Sequence, residues 1–163
     1  MGRPAKYDDD ELLDRAMTMF WERGWVETSI RDLEVALDLK APSIYRRFGS
    51  KDGLGVAVVE HYVDRVVARR VAKHLSGEGD PLDNLARFLR LSVTQSGSEE
   101  RLRGCLLTTT SLEVTEADAA LGAALDQGFG VIEEGLRREA QRADVLGLLA
   151  PGVEVRAATS VLV

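Results

Sequence analysis

The sequence predicts an all-α protein: three short helices at the N-terminus, followed by a larger helical bundle. Three observations carry this reading. Apolar residues recur at three- and four-residue spacing through most of the 163 residues. Glycine, proline and hydroxyl or acidic capping residues separate the segments so patterned. No stretch of useful length alternates apolar with polar residues as a half-buried strand would, and neither an internal repeat nor a low-complexity tract is present.

The elements follow in order. Asp8-Asp9-Asp10-Glu11 opens the first helix, because a short acid caps a helix and further acids suit the positive end of its dipole. Leu13, Met17 and Phe20 fall on one face, with Ala16 and Trp21 beside it, and Gly24 supplies the C-cap. Ser29 and Asp32 have capping-box spacing before a second helix marked by Ile30, Leu33 and Leu37. A turn at Asp38-Leu39-Lys40 leads to a third helix with Pro42 in its first turn and Ile44, Tyr45 and Phe48 as its larger residues.

After Gly49-Ser50, a single long helix is expected over 51–75, with Leu54, Val58, Tyr62, Val66 and Leu75 on related faces. Asp80-Pro81 starts the next, with Leu82, Leu85, Leu89 and Val93 at helical spacing. Further helical segments are expected over 99–114 and 118–142, the latter striped by Leu121, Leu125, Phe129, Ile132 and Leu136. The residues from 153 to 163 read as the opening of one more helix, so the body is expected to be incomplete at its C-terminus and its dimer contact weakened.

Composition narrows the function classes. No apolar run approaches the roughly 20 residues of a membrane span, and the basic start Arg3-Pro4-Ala5-Lys6 is followed by acids where a secretory signal needs an apolar stretch. A cytoplasmic protein with no membrane partner is expected. One cysteine, Cys105, excludes an internal disulfide framework. A buried small hydrophobe is its commoner use than a redox sensor. His61 and His74 have no partner at metal-ligand spacing, and no phosphate loop or nucleophile–base set is evident. Neither a cofactor, a metal nor catalysis is expected. An enzyme built in a helical-bundle core is the alternative from another class, as is a shortened chain that pairs with a full-length regulator without binding DNA.

The net charge of −6 speaks against nucleic acid until its distribution is considered. From Leu39 to Lys51 the chain carries Lys40, Arg46, Arg47 and Lys51 and no acid, so the remainder is more acidic than the total. Two short amphipathic helices joined by a tight turn form a helix-turn-helix, whose second helix can enter the major groove, where base edges are distinguishable. Ala41, Pro42 and Ser43 are small enough to let that helix approach. Lys40 and Arg46 can reach bases or phosphates, and Tyr45, Arg47 and Lys51 suit phosphates. Arg3 and Lys6 could serve as a minor-groove arm or be a solvated tail.

The linked pattern over about 8–61 is a capped first helix, an aromatic after a glycine, Thr28-Ser29, an aliphatic second helix, then Tyr45-x-x-Phe48-x-x-Lys51. It resembles the DNA-binding domain of the TetR (tetracycline-repressor-like) family. The resemblance implies a helix-turn-helix domain at 1–50 and a helical ligand-binding and dimerisation domain at 51–163. It places groove reading on Lys40, Ala41, Pro42, Ser43 and Arg46. Phosphate contacts fall on Thr28, Tyr45, Arg47 and Lys51, with Ser29 beside them. Asp38 departs from the glycine usual in the turn, and Asp tolerates the left-handed region better than most residues. Gly104-Cys105, Thr110 and Glu113 resemble a recurring pattern in one TetR subgroup. By the same resemblance the chain is a transcriptional regulator, a repressor that binds a near-palindromic operator as a homodimer and is released by a small-molecule effector. Phe88, Leu107, Thr110 and Phe129 are candidates for the effector pocket, although core is the commoner place for Phe88, Leu107 and Phe129, and in this family a residue can be both. Hydroxyls of the run Thr108-Thr109-Thr110-Ser111 either line that pocket or bond back to the preceding helical turn.

Overall fold

A computed structural model describes residues 8–93 and 104–156. Every regular element among them is helical. The expectations that fall on Arg3, Lys6, residues 99–103 and the end of the chain past 156 lie outside the described residues.

Local chemistry sets the first three helices. Asp8 caps α1 (Asp9–Arg23), accepting from the Asp10 amide, and Gly24 closes it at φ 87° with its N–H on the Phe20 carbonyl. Ser29 and Asp32 form the expected capping box at the start of α2 (Ile30–Leu37). Asp38 ends α2 in the left-handed conformation, φ 50° and ψ 42°. A residue with a Cβ therefore makes the turn, as its short polar side chain permits. In α3 (Ala41–Phe48) the first turn holds Pro42, whose missing N–H costs nothing there.

Residues 51–74 are helical throughout, as α4 (Lys51–Tyr62), a π-helical segment (Val63–Ala68) and α5 (Arg69–His74). The single regular helix expected over 51–75 therefore needs correction. Leu54, Val58 and Tyr62 are buried at spacing four, and so are Val67, Val71 and Leu75. Tyr62 and Val67 are five apart, because the π turn adds one residue and moves the buried stripe by one place. Val67, not Val66, is thus the residue inside.

The α6 stripe is also displaced. In α6 (Pro81–Val93) the buried residues are Pro81, Asn84 and Phe88, while Leu82 is exposed and Leu85 and Leu89 are half-buried. Asn84 faces inward because it has polar partners there: its amide donates to the Glu78 carbonyl at 2.6 Å and to Glu139 at 3.3 Å. A short α7 (Leu106–Ser111) and a 3-10 turn (Glu116–Asp118) lead to α8 (Ala119–Val145). No helix among the described residues is long and apolar enough to cross a membrane.

The described residues divide into two compact units. The first comprises 8–62 and Cys105–Leu125. Here α1 packs on α2, α4 and α7, and α3 packs on α2 and α4. Leu12, Ala16, Phe20, Leu33, Leu37, Ile44 and Leu54 form its core. On α1 the buried face runs through Leu12, one place before the expected Leu13, which with Met17 is half-buried. The second unit comprises 63–93, Gly104 and 126–156, with α5 packed on α6 and with Val67, Val71, Leu75, Phe88 and Leu136 inside.

Candidate nucleic-acid interface

The candidate recognition element is α3, the second helix of the helix-turn-helix. Ile44 is its one fully buried side chain and fixes which face turns inward. Lys40, Pro42, Tyr45, Arg46 and Arg47 are exposed, and Ala41 and Ser43 are half-buried. The apolar anchor and the outward basic groups therefore lie on different sides of two helical turns. The N-terminus of α3 is positioned by α2: the Ala41 amide donates to Glu34 Oε1 at 2.7 Å. Sequence reading missed this residue. A glutamate in α2 seven residues before an uncapped helix start was the available signal.

The proposed phosphate-contact residues fall into different environments. Tyr45 is 45% exposed. Arg47 Nε pairs with Asp9 at 3.1 Å, a contact between exposed groups that a phosphate can displace at small cost. Ser29 is exposed at the start of α2 and bonded to Asp32, whose carboxyl that bond chiefly holds below its ordinary value. Thr28 lies inside the fold, its hydroxyl donating to the Gly24 carbonyl at 2.7 Å. That hydroxyl positions the connection between α1 and α2.

Lys51 is also engaged. Its Nζ donates to the Trp25 carbonyl at 2.6 Å and lies 4.4 Å from the centre of the Trp25 ring. Partial burial lowers its proton affinity, and the charges of Asp52, Asp118 and Glu113 oppose that shift. The segment 39–51 has no acid of its own, yet the fold brings acids to its last residue. Glu113 reaches the same place, accepting the Val26 amide through Oε2 at 2.8 Å. His61 Nε2 meets Asp14 at 2.7 Å, joining α4 to α1.

The candidate pocket residues are shared between the units. Leu107 and Thr110 are buried in the first, Phe88 is buried in the second, and Phe129 is half-buried there. Two surface grooves of the second unit, about 390 and 410 Å³, are lined by other residues: Arg138, Gln141, Arg142, Val145 and Leu146, and Asp83, Arg87, Arg90 and Leu91. In the hydroxyl run, Thr109 and Ser111 donate back to carbonyls of the preceding turn. Cys105 is half-buried, with the Tyr62 hydroxyl donating to its Sγ at 3.7 Å.

A short helix whose start is held by Glu34 and whose inner face is fixed by a buried isoleucine, turning arginines, a lysine and a tyrosine outward, defines a helix-turn-helix protein of all-helical class. Residues 12–58 match the family described as bacterial regulatory proteins, tetR family. The HTH-type transcriptional repressor ComR of Escherichia coli K12 is 35% identical over 121 residues, which are 73% of this chain and 58% of ComR. The repressor NemR of the same strain is 27% identical over 134 residues, 81% of this chain and 67% of NemR. Among solved structures, a cysteine mutant of the TetR family transcriptional regulator CifR, complexed with 26-base-pair operator DNA, superposes with a TM-score of 0.84. It is 31% identical, and the alignment covers 98% of this chain and 83% of CifR. The chain belongs to the tetR family. It spans 58% of the length of ComR and 83% of the crystallised CifR chain.

Proposed function

We propose that this protein is a DNA-binding transcriptional regulator of the cytoplasm that represses from an operator and leaves it when a small molecule binds. The observation that carries the reading is the outward basic face of α3, with Lys40, Tyr45, Arg46 and Arg47 exposed around a buried Ile44. Lys40, Ala41, Pro42, Ser43 and Arg46 then meet base edges, and Tyr45 and Arg47 meet phosphates. Thr28 and Lys51 act from inside, fixing the connection on which α2 and α3 depend. The repressors ComR and NemR and the operator complex of CifR support this reading.

In this account residues 1–50 read DNA, while residues 51–163 bind the effector and a second copy of the chain. A homodimer presents two recognition helices, so the operator is near-palindromic with half-sites about one helical turn apart, or a multiple of it. The effector acts by binding more tightly to a form whose two heads no longer fit both half-sites. Catalysis has no part in this cycle.

Selection of bound duplexes from random DNA tests the proposal. The expected result is enrichment of one inverted repeat. Binding without enrichment of any sequence counts against it, and turnover of a bound small molecule would favour an enzyme.

A further inference from the structure

The connection between α1 and α2 is held from three directions. Thr28 Oγ1 donates to the Gly24 carbonyl at 2.7 Å, within the connection itself. From the start of α4, Lys51 donates to the Trp25 carbonyl at 2.6 Å. From beyond α7, Glu113 accepts the Val26 amide at 2.8 Å. The side chain of Val26 is 59% exposed, so its own packing does little to hold this backbone.

The space beside Gly24 is matched to Glu113. A Cβ at Gly24 would lie 2.5 Å from Glu113 Oε1, and the backbone there has φ 87°, which side-chain-bearing residues rarely adopt. Glu113 itself is fixed by the end of α7, its amide donating to the Thr110 carbonyl at 3.0 Å. The helix α7 in turn rests on α1 and α4. All these groups belong to the same compact unit.

We infer that Glu113 is a positioning residue for DNA recognition, through which the segment around α7 sets the α1–α2 connection and thereby the seat of the recognition helix. The path is continuous. Glu113 holds Val26, three residues before the Ser29 cap of α2, and α2 holds the start of α3 through Glu34 and the Ala41 amide. A change that withdraws α7 removes a charge-assisted bond from the connection, which loosens α2 and α3 together. This inference rests on the reading of α3 as the DNA-contacting helix.

The test compares Glu113→Ala, Glu113→Asp and Glu113→Gln with the unaltered full chain. The probe is the duplex that the unaltered chain selects from random DNA. Readouts are hydrogen exchange at the Val26 amide and affinity for that duplex and for an unrelated one. Glu113→Ala is expected to speed Val26 exchange about tenfold and to weaken selected-duplex binding about tenfold, with the unrelated duplex bound as before. Glu113→Gln keeps an acceptor and is expected to restore both. Glu113→Asp, whose reach is one methylene shorter, is expected to act in the direction of alanine and serves if the alanine variant does not fold. An alanine or aspartate variant that binds the selected duplex as the unaltered chain does, or exchanges Val26 at its rate, or a glutamine variant that behaves as alanine does, overturns this inference alone. Failure of the unaltered chain to select any sequence overturns the DNA-binding reading and this inference with it.

Discussion

Lys51 Nζ donates to the carbonyl oxygen of Trp25 at 2.6 Å and lies 4.4 Å from the centre of that residue's ring. One side chain at the start of α4 thus holds both the backbone and the ring of the residue after Gly24. Trp25 is in turn packed edge-on against Phe20, their ring centres 5.1 Å apart. Lys51→Ala should therefore lower stability by about 1–2 kcal/mol, because a hydrogen bond from a charged donor and a cation–π contact are both lost. Urea titration checks this. An unchanged midpoint would show that the contacts of Lys51 with Trp25 add nothing to stability.

The buried carboxylate Glu139 makes a second such clasp, in the other unit. Its Oε1 accepts the Gly77 amide at 2.7 Å, and its Oε2 accepts from Asn84 at 3.3 Å and from Arg142 at 2.5 Å. Arg142 also donates to the Gly79 carbonyl, so the loop between α5 and α6 is tied to α8 by both residues. Removing the half-buried Arg142 strands the fully buried carboxylate of Glu139. Arg142→Ala should cost about 3 kcal/mol by chemical denaturation, and Glu139→Gln less, since an amide can still accept from Gly77. Equal and small losses in both variants would contradict the clasp.

Acid should loosen the first unit through its capping boxes. The carboxyls of Asp32 and Asp118 are held below their ordinary values chiefly by bonds from Ser29 and Thr115. A carboxyl with a lowered folded value adds stability that is present above its unfolded value, 3.8 for Asp, and lost as pH falls through the folded one. Melting temperature should therefore fall as pH drops below about 4, and Asp32→Asn should shallow that fall. A melting temperature with the same acid slope in both proteins would remove Asp32 from the account.

Much of this was legible in the sequence because it is local. The caps Asp8, Ser29 and Gly24 and the buried Ile44 follow from residue type and spacing over four residues or fewer, while the left-handed turn at Asp38 was implied by the family resemblance. What escaped depends on residues far apart in the chain. Glu113 and Val26 are 87 positions apart and Lys51 and Trp25 are 26, and no periodicity reports such pairs. The inward turn of Asn84 has the same cause, since its partner Glu139 lies 55 residues on. The π segment at Val63–Ala68 escaped because regular helical spacing from Tyr62 points to Val66, and a further valine at 67 leaves no mark of the added residue. Thr28 and Lys51 sit where a family resemblance places phosphate contacts, yet their polar atoms are bonded within the first unit.

Close packing at Gly55 gives a further expectation. A Cβ there would stand 2.6 Å from the Trp25 ring, whose face the buried glycine allows to approach α4. Gly55→Ala should lower stability by about 1–3 kcal/mol through overpacking, even though alanine favours a helix. A calorimetric scan decides the sign, and a stabilised variant would mean that Trp25 moves without penalty.

The account centres on α3 as the element that meets DNA, and Arg46 tests this most directly. It is exposed, it lies in the last turn of α3, and the segment around it carries no acid. The measurement is the affinity of the unaltered chain and of Arg46→Ala for the selected duplex across a salt series. The account predicts a steep loss of affinity with salt for the unaltered chain. For Arg46→Ala it predicts weaker binding, with a slope shallower by about one if the guanidinium meets a phosphate, or specificity relaxed at one base pair if it meets a base. Identical affinity, slope and sequence preference in the two proteins would contradict it.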